Sequence, residues 1–204
     1  MRSNEIDALG IRGDSVEANV GAQFLNRWSP RAMSGQALTI DQLNSLIEAA
    51  RWAPSCFNAQ PWRFAWAITG TPEWQPLFDS LIEANQKWVA NAGALIAIAS
   101  RTEFEHNDKP APTHSFDAGA AWMSMALQAQ DMGLVTHGMR GFDPASARAA
   151  VALPDIYDLP AIIAVGYPGE VDELPESLRE REIPSDRKKL AEIAFHGRFP
   201  AGMT

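Results

Sequence analysis

Pro54-Ser55-Cys56-Phe57-Asn58-Ala59-Gln60-Pro61-Trp62 is the stretch on which the reading of this 204-residue chain turns. It follows an amphipathic helical pattern directly. Pro54 cannot continue a helix and disfavours helical geometry at Ala53, and Pro61 fixes a second backbone angle just before Trp62. Between these stiff points Ser55, Asn58 and Gln60 offer donors and acceptors on a backbone with little freedom to lose on binding. Trp62 adds a large aromatic surface. Such a loop suits a planar heteroaromatic ligand, and it also suits a plain stop between a helix and a strand.

Upstream, Thr39 with Gln42 three residues later has capping-box spacing. Leu43, Leu46, Ile47 and Ala50 then recur at helical intervals, which predicts one buried face. Downstream, Phe64 to Ile68 reads as a short buried strand and Pro72 opens a helix running to about Ala90. Ala94 to Ser100 is a second strand, and residues 101–112 are a charged loop. Thr113 to Met132 is the longest helical segment, with Phe116, Ala120, Met123 and Leu127 in its pattern and Ala120 and Ala121 allowing close approach, ended by Gly133. Leu134 to His137 is a third strand. Asp143-Pro144 caps a short helix, and Ile162 to Tyr167 is the last core strand. Residues 1–23 are polar and Gly-containing, a weakly ordered lead-in to one domain over 24–204. Helices and strands alternate, so the class is α/β or α+β, one sheet flanked by helices. Past Pro168 the tail is acidic and Pro-rich, then basic at Arg187-Lys188-Lys189, and has no core of its own. It must pack on something, a partner subunit being the economical choice.

A hydrophobic content of 46% over this length supports a real core. The formal charge of −8 argues against general binding to nucleic acid. No apolar run approaches the roughly 20 residues that span a bilayer, which excludes a membrane protein of that type. The first twenty residues carry Glu5, Asp7, Asp14 and Glu17 without the apolar stretch of a signal peptide. The single Cys56 excludes an internal disulfide and fits a reducing cytoplasm. The four histidines show no metal-ligand spacing. Seven tryptophans suggest aromatic walls around a ligand or a wide subunit interface.

Two basic groups could carry chemistry. In an extended backbone Arg27, Ser29 and Arg31 point to one side, and two guanidinium groups with a hydroxyl match a phosphate. The same triplet also suits a solvated strand edge. Arg187-Lys188-Lys189 alone is an ordinary solvated run, but with Arg27 and Arg31 it could close an anion site. Cys56 reads as a small packing residue. His137 stands at a strand end, where packing is the usual role and proton donation to a substrate the rarer one.

Taken in order, Arg27-x-Ser29-x-Arg31, the capped helix, Pro54-Ser55-x-x-Asn58-x-Gln60-Pro61-Trp62, Gly133-Leu134, Arg140-Gly141-Phe142-Asp143 and Arg187-Lys188-Lys189-Leu190 resemble the FMN-dependent nitroreductase family over residues 24–199. The resemblance implies an α+β, three-layer fold with a central, mainly antiparallel sheet flanked by helices. It also implies a homodimer whose C-terminal tail is exchanged with the partner, with two FMN sites at the interface. One subunit would place Arg27, Ser29, Arg31 and Arg187 on the phosphate, ribityl and pyrimidine edge of FMN. Its partner would contribute Pro54, Ser55, Cys56 and Asn58. Arg140 and Gly141 would lie by the flavin N5 edge, with Asn85 also in contact. NADH or NADPH would reduce the flavin, and a nitroaromatic, quinone or similar conjugated acceptor would then be reduced by a ping-pong hydride mechanism. The cofactor carries that chemistry, so no side chain is assigned as catalytic. Trp88, Phe104 and Trp122 are candidate wall residues, core burial being the commoner fate for any one of them, and residues 101–115 could form a short lid. Reductive dehalogenation, ene-type reduction, and non-catalytic flavin binding or storage are the alternatives. A Gly-x-Gly-x-x-Gly dinucleotide motif is absent.

Overall fold

The computed structural model describes residues 1–3 and 6–203, apart from the side chain of Leu9. Asn4, Glu5 and Thr204, which belong to the expected segments 1–23 and 24–204, lie outside the described residues. Two short helices precede the first predicted one, α1 (Ala8–Arg12) and α2 (Ala22–Asn26). The lead-in is pinned by long-range contacts that no local periodicity encodes. The Ser3 hydroxyl donates to the Ala32 carbonyl at 3.0 Å, and the Arg12 guanidinium donates to the carbonyls of Leu25 and Arg27.

Thr39 opens α3 (Ile40–Arg51) as its pattern predicts. Its hydroxyl accepts the Gln42 N–H at 3.2 Å, and the Gln42 side chain accepts the Thr39 N–H at 3.0 Å. Leu43, Leu46 and Ala50 are fully buried. Four strands, β1 (Trp62–Ile68), β2 (Ala94–Arg101), β3 (Val135–Met139) and β4 (Tyr157–Gly166), form one antiparallel sheet in the order β1-β2-β4-β3. Side chains alternate across it, as the two-residue period of a strand requires. Leu95, Ala97, Ile162 and Ala164 join a core with Trp74, Leu77, Trp88 and Phe142. Ala94, Ile96, Ile98, Ile163 and Val165 join a second core with Leu43, Leu46, Ala121 and Met125. Helices therefore cover both faces, the α+β three-layer arrangement with a central antiparallel sheet. On one face lie α4 (Trp74–Asp79), α5 (Glu83–Val89) and α7 (Pro144–Ala150), and on the other α3 and α6 (His114–Asp131).

Several details depart from the sequence reading. β1 begins at Trp62 and buries only Trp62 and Ala67, because it is an edge strand. The helix expected from Pro72 to Ala90 is broken at residues 80–82. There the Ile82 N–H bonds to the Gly141 carbonyl at 3.1 Å and the Asp143 N–H to the Ser80 carbonyl at 2.8 Å, so tertiary pairing takes over the backbone groups. The inward side of α6 carries Ala118, Ala121 and Ala129, which let it pack closely on α3 and the sheet, with Met125 filling the space between them. Phe116, part of the expected pattern, is 80% exposed. β4 starts at Tyr157, five residues before the predicted Ile162. Gly169 lies against the 32–34 backbone, where a Cβ would come within 2.4 Å of the Met33 carbonyl group. Among the described residues the tail carries α8 (Glu176–Arg179), α9 (Leu190–Ile193) and a short 3-10 turn, and leaves Ile183, Leu190, Ile193 and Phe199 exposed.

Candidate functional site

Arg27, extended at φ −69° and ψ 119°, begins the run from α2 into the core. Three side chains from distant elements take up the run's backbone groups. Arg12 donates to the carbonyls of Leu25 at 2.6 Å and Arg27 at 3.0 Å, and also to Ser185 in the tail at 3.1 Å. Glu182 accepts the N–H groups of Arg31 at 2.7 Å and Ala32 at 2.8 Å. His137 on β3 donates its Nδ1 hydrogen to the Pro30 carbonyl at 3.2 Å. With the backbone so held, Arg27, Ser29 and Arg31 line one cleft of about 440 Å³ together with Arg12, His137, Arg181 and Arg187. That volume is in the range of small-molecule sites.

The cleft is short of negative charge. Burial lowers the Arg27 pKa and repulsion from Arg187 lowers it further. Arg12 is lowered by burial, then by Arg187 and Arg27, with Asp186 opposing. Arg31 is lowered by burial, with Glu182 opposing. Arginines stay charged despite such pressure, so the cleft holds mutually repelling cations that a polyanion would relieve. The donors present, guanidinium groups beside the Ser29 hydroxyl, fit a phosphate. His137 is held down to about 4, chiefly by burial and then by Arg31. It is therefore neutral near pH 7, its Nδ1 hydrogen is already engaged, and its ring packs 4.7 Å from that of Trp88. It is poorly placed to donate a proton to a substrate.

The break between α4 and α5 assembles a second group. Asn85 donates to the Gly141 carbonyl at 2.9 Å, and Arg140 lies over the Phe142 ring at 4.7 Å. A Cβ on Gly141 would meet the Asn85 amide nitrogen at 2.6 Å, so a side chain there would displace Asn85. Asn85, Arg140 and Gly141 thus come together just beyond the end of β3.

The loop after α3 is a third group. Ser55 accepts the Gln60 N–H on its hydroxyl at 3.0 Å, and its carbonyl accepts the Asn58 N–H at 3.0 Å. Phe57, Asn58 and Gln60 take left-handed φ values of 53°, 53° and 47°, a cluster that non-glycine residues adopt only when the surroundings impose it. The buried Asp117 of α6 supplies part of that constraint, accepting the Cys56 N–H at 3.2 Å. Pro54, Ser55, Cys56 and Asn58 do not line the arginine cleft of the same chain. Of the candidate wall residues, Trp88 is buried in the core and Trp122 lines a recess beside the cleft with Gly138 and Met123. Phe104 stands edge-on to the exposed Phe57, with ring centres 5.9 Å apart.

Sequence reasoning missed Arg12, Asp117 and Glu182. Arg12 sits in a stretch read as a lead-in and Glu182 in a tail read only as acidic and Pro-rich. Asp117 carried one available signal, its place in the first turn of a predicted helix, where a carboxylate is favoured. Among the described residues no group of three or more His, Cys, Asp and Glu side chains could hold a metal ion, and no helix is long and apolar enough to cross a membrane.

The model of the Nitroreductase family matches residues 25–167. A protein named NADH dehydrogenase from Thermus thermophilus is 28% identical over 178 residues, which is 72% of this chain and 83% of that protein. Among solved structures, an oxidoreductase containing FMN superposes with a TM-score of 0.87 at 42% identity, covering 91% of this chain and 95% of its own. A Desulfovibrio desulfuricans protein in complex with FMN superposes with a TM-score of 0.71 at 25% identity, covering 91% of this chain and all 100% of its own.

Proposed function

The chain belongs to the nitroreductase family, and from that premise we propose that it is an FMN-dependent oxidoreductase drawing electrons from NADH or NADPH. The observation that carries the proposal is the convergence of Arg27, Ser29 and Arg31 from near one end of the chain with Arg187 from near the other, on one cation-rich cleft. Bound FMN supplies a two-electron carrier between the nicotinamide and an acceptor. The residues of the chain bind, orient and tune it. Arg27 and Arg187 would hold the phosphate, Ser29 the ribityl chain and Arg31 the pyrimidine edge, where its charge would favour the reduced form. Asn85 fixes the Gly141 backbone beside the N5 edge, with Arg140 adjacent. No side chain need act as nucleophile or dedicated acid.

The site is completed by a second copy. Pro54, Ser55, Cys56 and Asn58 stand apart from the cleft of their own chain, and their stiffened loop is suited to reach across a two-fold interface into the other. The exposed Leu190, Ile193 and Phe199 support a tail that wraps the partner. The acceptor would be a nitroaromatic, quinone or related conjugated molecule, reduced after the nicotinamide has left in a ping-pong cycle. Lone Cys56 supports a cytoplasmic setting.

Purified protein should be yellow, release FMN on denaturation, bleach with NADH or NADPH under anaerobic conditions, and regain colour with a quinone or nitroaromatic. Colourless protein that takes up no added FMN would overturn the reading. Yellow protein that ignores both nicotinamides would leave binding and remove the activity.

A further inference from the structure

Glu182 lies in the tail, 1% exposed, and reaches across 150 residues of sequence to the segment that carries Arg31. Its Oε1 accepts both the Arg31 and Ala32 N–H groups. Its Oε2 is buried with no hydrogen-bond partner among the described residues, and the Arg31 guanidinium is 3.9 Å away. Holding two amides needs only an oxygen acceptor, which a neutral amide side chain also provides. A buried carboxylate costs far more than that task requires unless its charge has a counterpart. The other groups flanking Arg31 do not provide negative charge, since His137 is neutral and Arg181 is a cation.

Resting on the FMN reading above, we propose that Glu182 is a positioning residue that fixes the backbone of Arg31 and offsets part of its charge, lowering the site's preference for reduced over oxidised FMN. Burial pushes the Glu182 carboxyl up, while the two amides and Arg31 pull it back. Arg31 therefore faces the flavin as a partly neutralised cation, and the protein holds a more reducing flavin than Arg31 alone would set.

Two variants of the FMN-loaded protein separate clamp from charge. Glu182→Gln keeps an oxygen for both amides and removes the charge. It should hold oxidised FMN within about threefold of the parent while favouring reduced over oxidised FMN at least tenfold more, about 30 mV for a two-electron couple by equilibration with a reference dye. Glu182→Ala loses the clamp and should shed FMN. In an Arg31→Met background the Gln substitution should leave the potential unchanged. An unshifted potential in FMN-loaded Glu182→Gln would overturn the proposal, as would a full shift that persists in Arg31→Met. A Glu182→Gln chain that cannot fold would also overturn it, because the charge would then serve the fold. A parent that binds no FMN would overturn the proposed function instead.

Discussion

His137 Nδ1 donates to the Pro30 carbonyl at 3.2 Å, which ties the edge strand β3 to the segment bearing Arg27, Ser29 and Arg31. The bond needs the neutral ring only, and burial followed by Arg31 holds the group at about 4 against an ordinary 6.5. The unfolded chain therefore binds the extra proton first as pH falls. Stability from this residue is complete above about pH 6.5, falls between 6.5 and 4, and is constant below, on the order of 3 kcal/mol in all. Glu182, pushed up by burial, has the opposite sign: its contribution is present below the ordinary carboxylate range and lost as pH rises through its raised value. His137→Gln should flatten the slope between pH 6.5 and 4 relative to the parent in urea unfolding. Parallel curves for the two proteins would contradict this account.

Arg27→Ala should weaken FMN retention at least tenfold, because a charge-assisted contact with phosphate is lost from a partly desolvated site. Removing one cation also relieves Arg187 and Arg12, so the apoprotein should be no less stable. Flavin absorbance after gel filtration reads the first effect and thermal unfolding the second. Equal occupancy in mutant and parent would remove Arg27 from the site.

What the sequence made legible was what short-range chemistry decides. The Thr39–Gln42 capping box and the Leu43, Leu46, Ala50 row define α3 without help from the rest of the chain. Arg27, Ser29 and Arg31 were legible from their two-residue spacing and do line one cleft, which Trp28 lines as well. Reading failed where distant partners decide. The helix from Pro72 is cut because Ser80 and Ile82 pair with residues 141–143, and that cut is what brings Asn85 to Gly141. On α6 the close approach expected at Ala120 and Ala121 is made, with Ala118, Met125 and Ala129 beside Ala121 in the core, but Phe116 turns outward. Arg12 and Glu182 were invisible because each bonds a segment that the sequence does not show to be near.

Asp117→Ala should loosen the loop that follows α3. It leaves the Cys56 N–H without its acceptor and removes a partner of the Thr113 hydroxyl, at a cost of about 1–3 kcal/mol. The left-handed residues Phe57, Asn58 and Gln60 then lose part of what holds them, so amide exchange over 55–60 should rise well beyond that of β2 or β4. Asp117→Asn, which keeps an oxygen acceptor, should recover most of the protection. Unchanged exchange in the alanine variant would show that Ser55 and the prolines hold the loop unaided.

Shared sites make a prediction that separate sites cannot. If Arg27 and Asn58 of the same chain serve different flavins, Arg27→Ala and Asn58→Ala homodimers are each defective in both sites. In a mixed dimer the two substitutions fall on one site, and the other receives a native Arg27 from one chain and a native Asn58 from the other. After unfolding and refolding an equal mixture, half of the dimers should be mixed on a random basis, so FMN content should recover to about one quarter of the parent's full occupancy. Each variant treated alone should recover nothing. If the mixture stays as empty as its components, Arg27 and Asn58 of the same chain bind the same flavin, or Asn58 binds none, and the loop from Pro54 to Trp62 must be given a role within its own protomer.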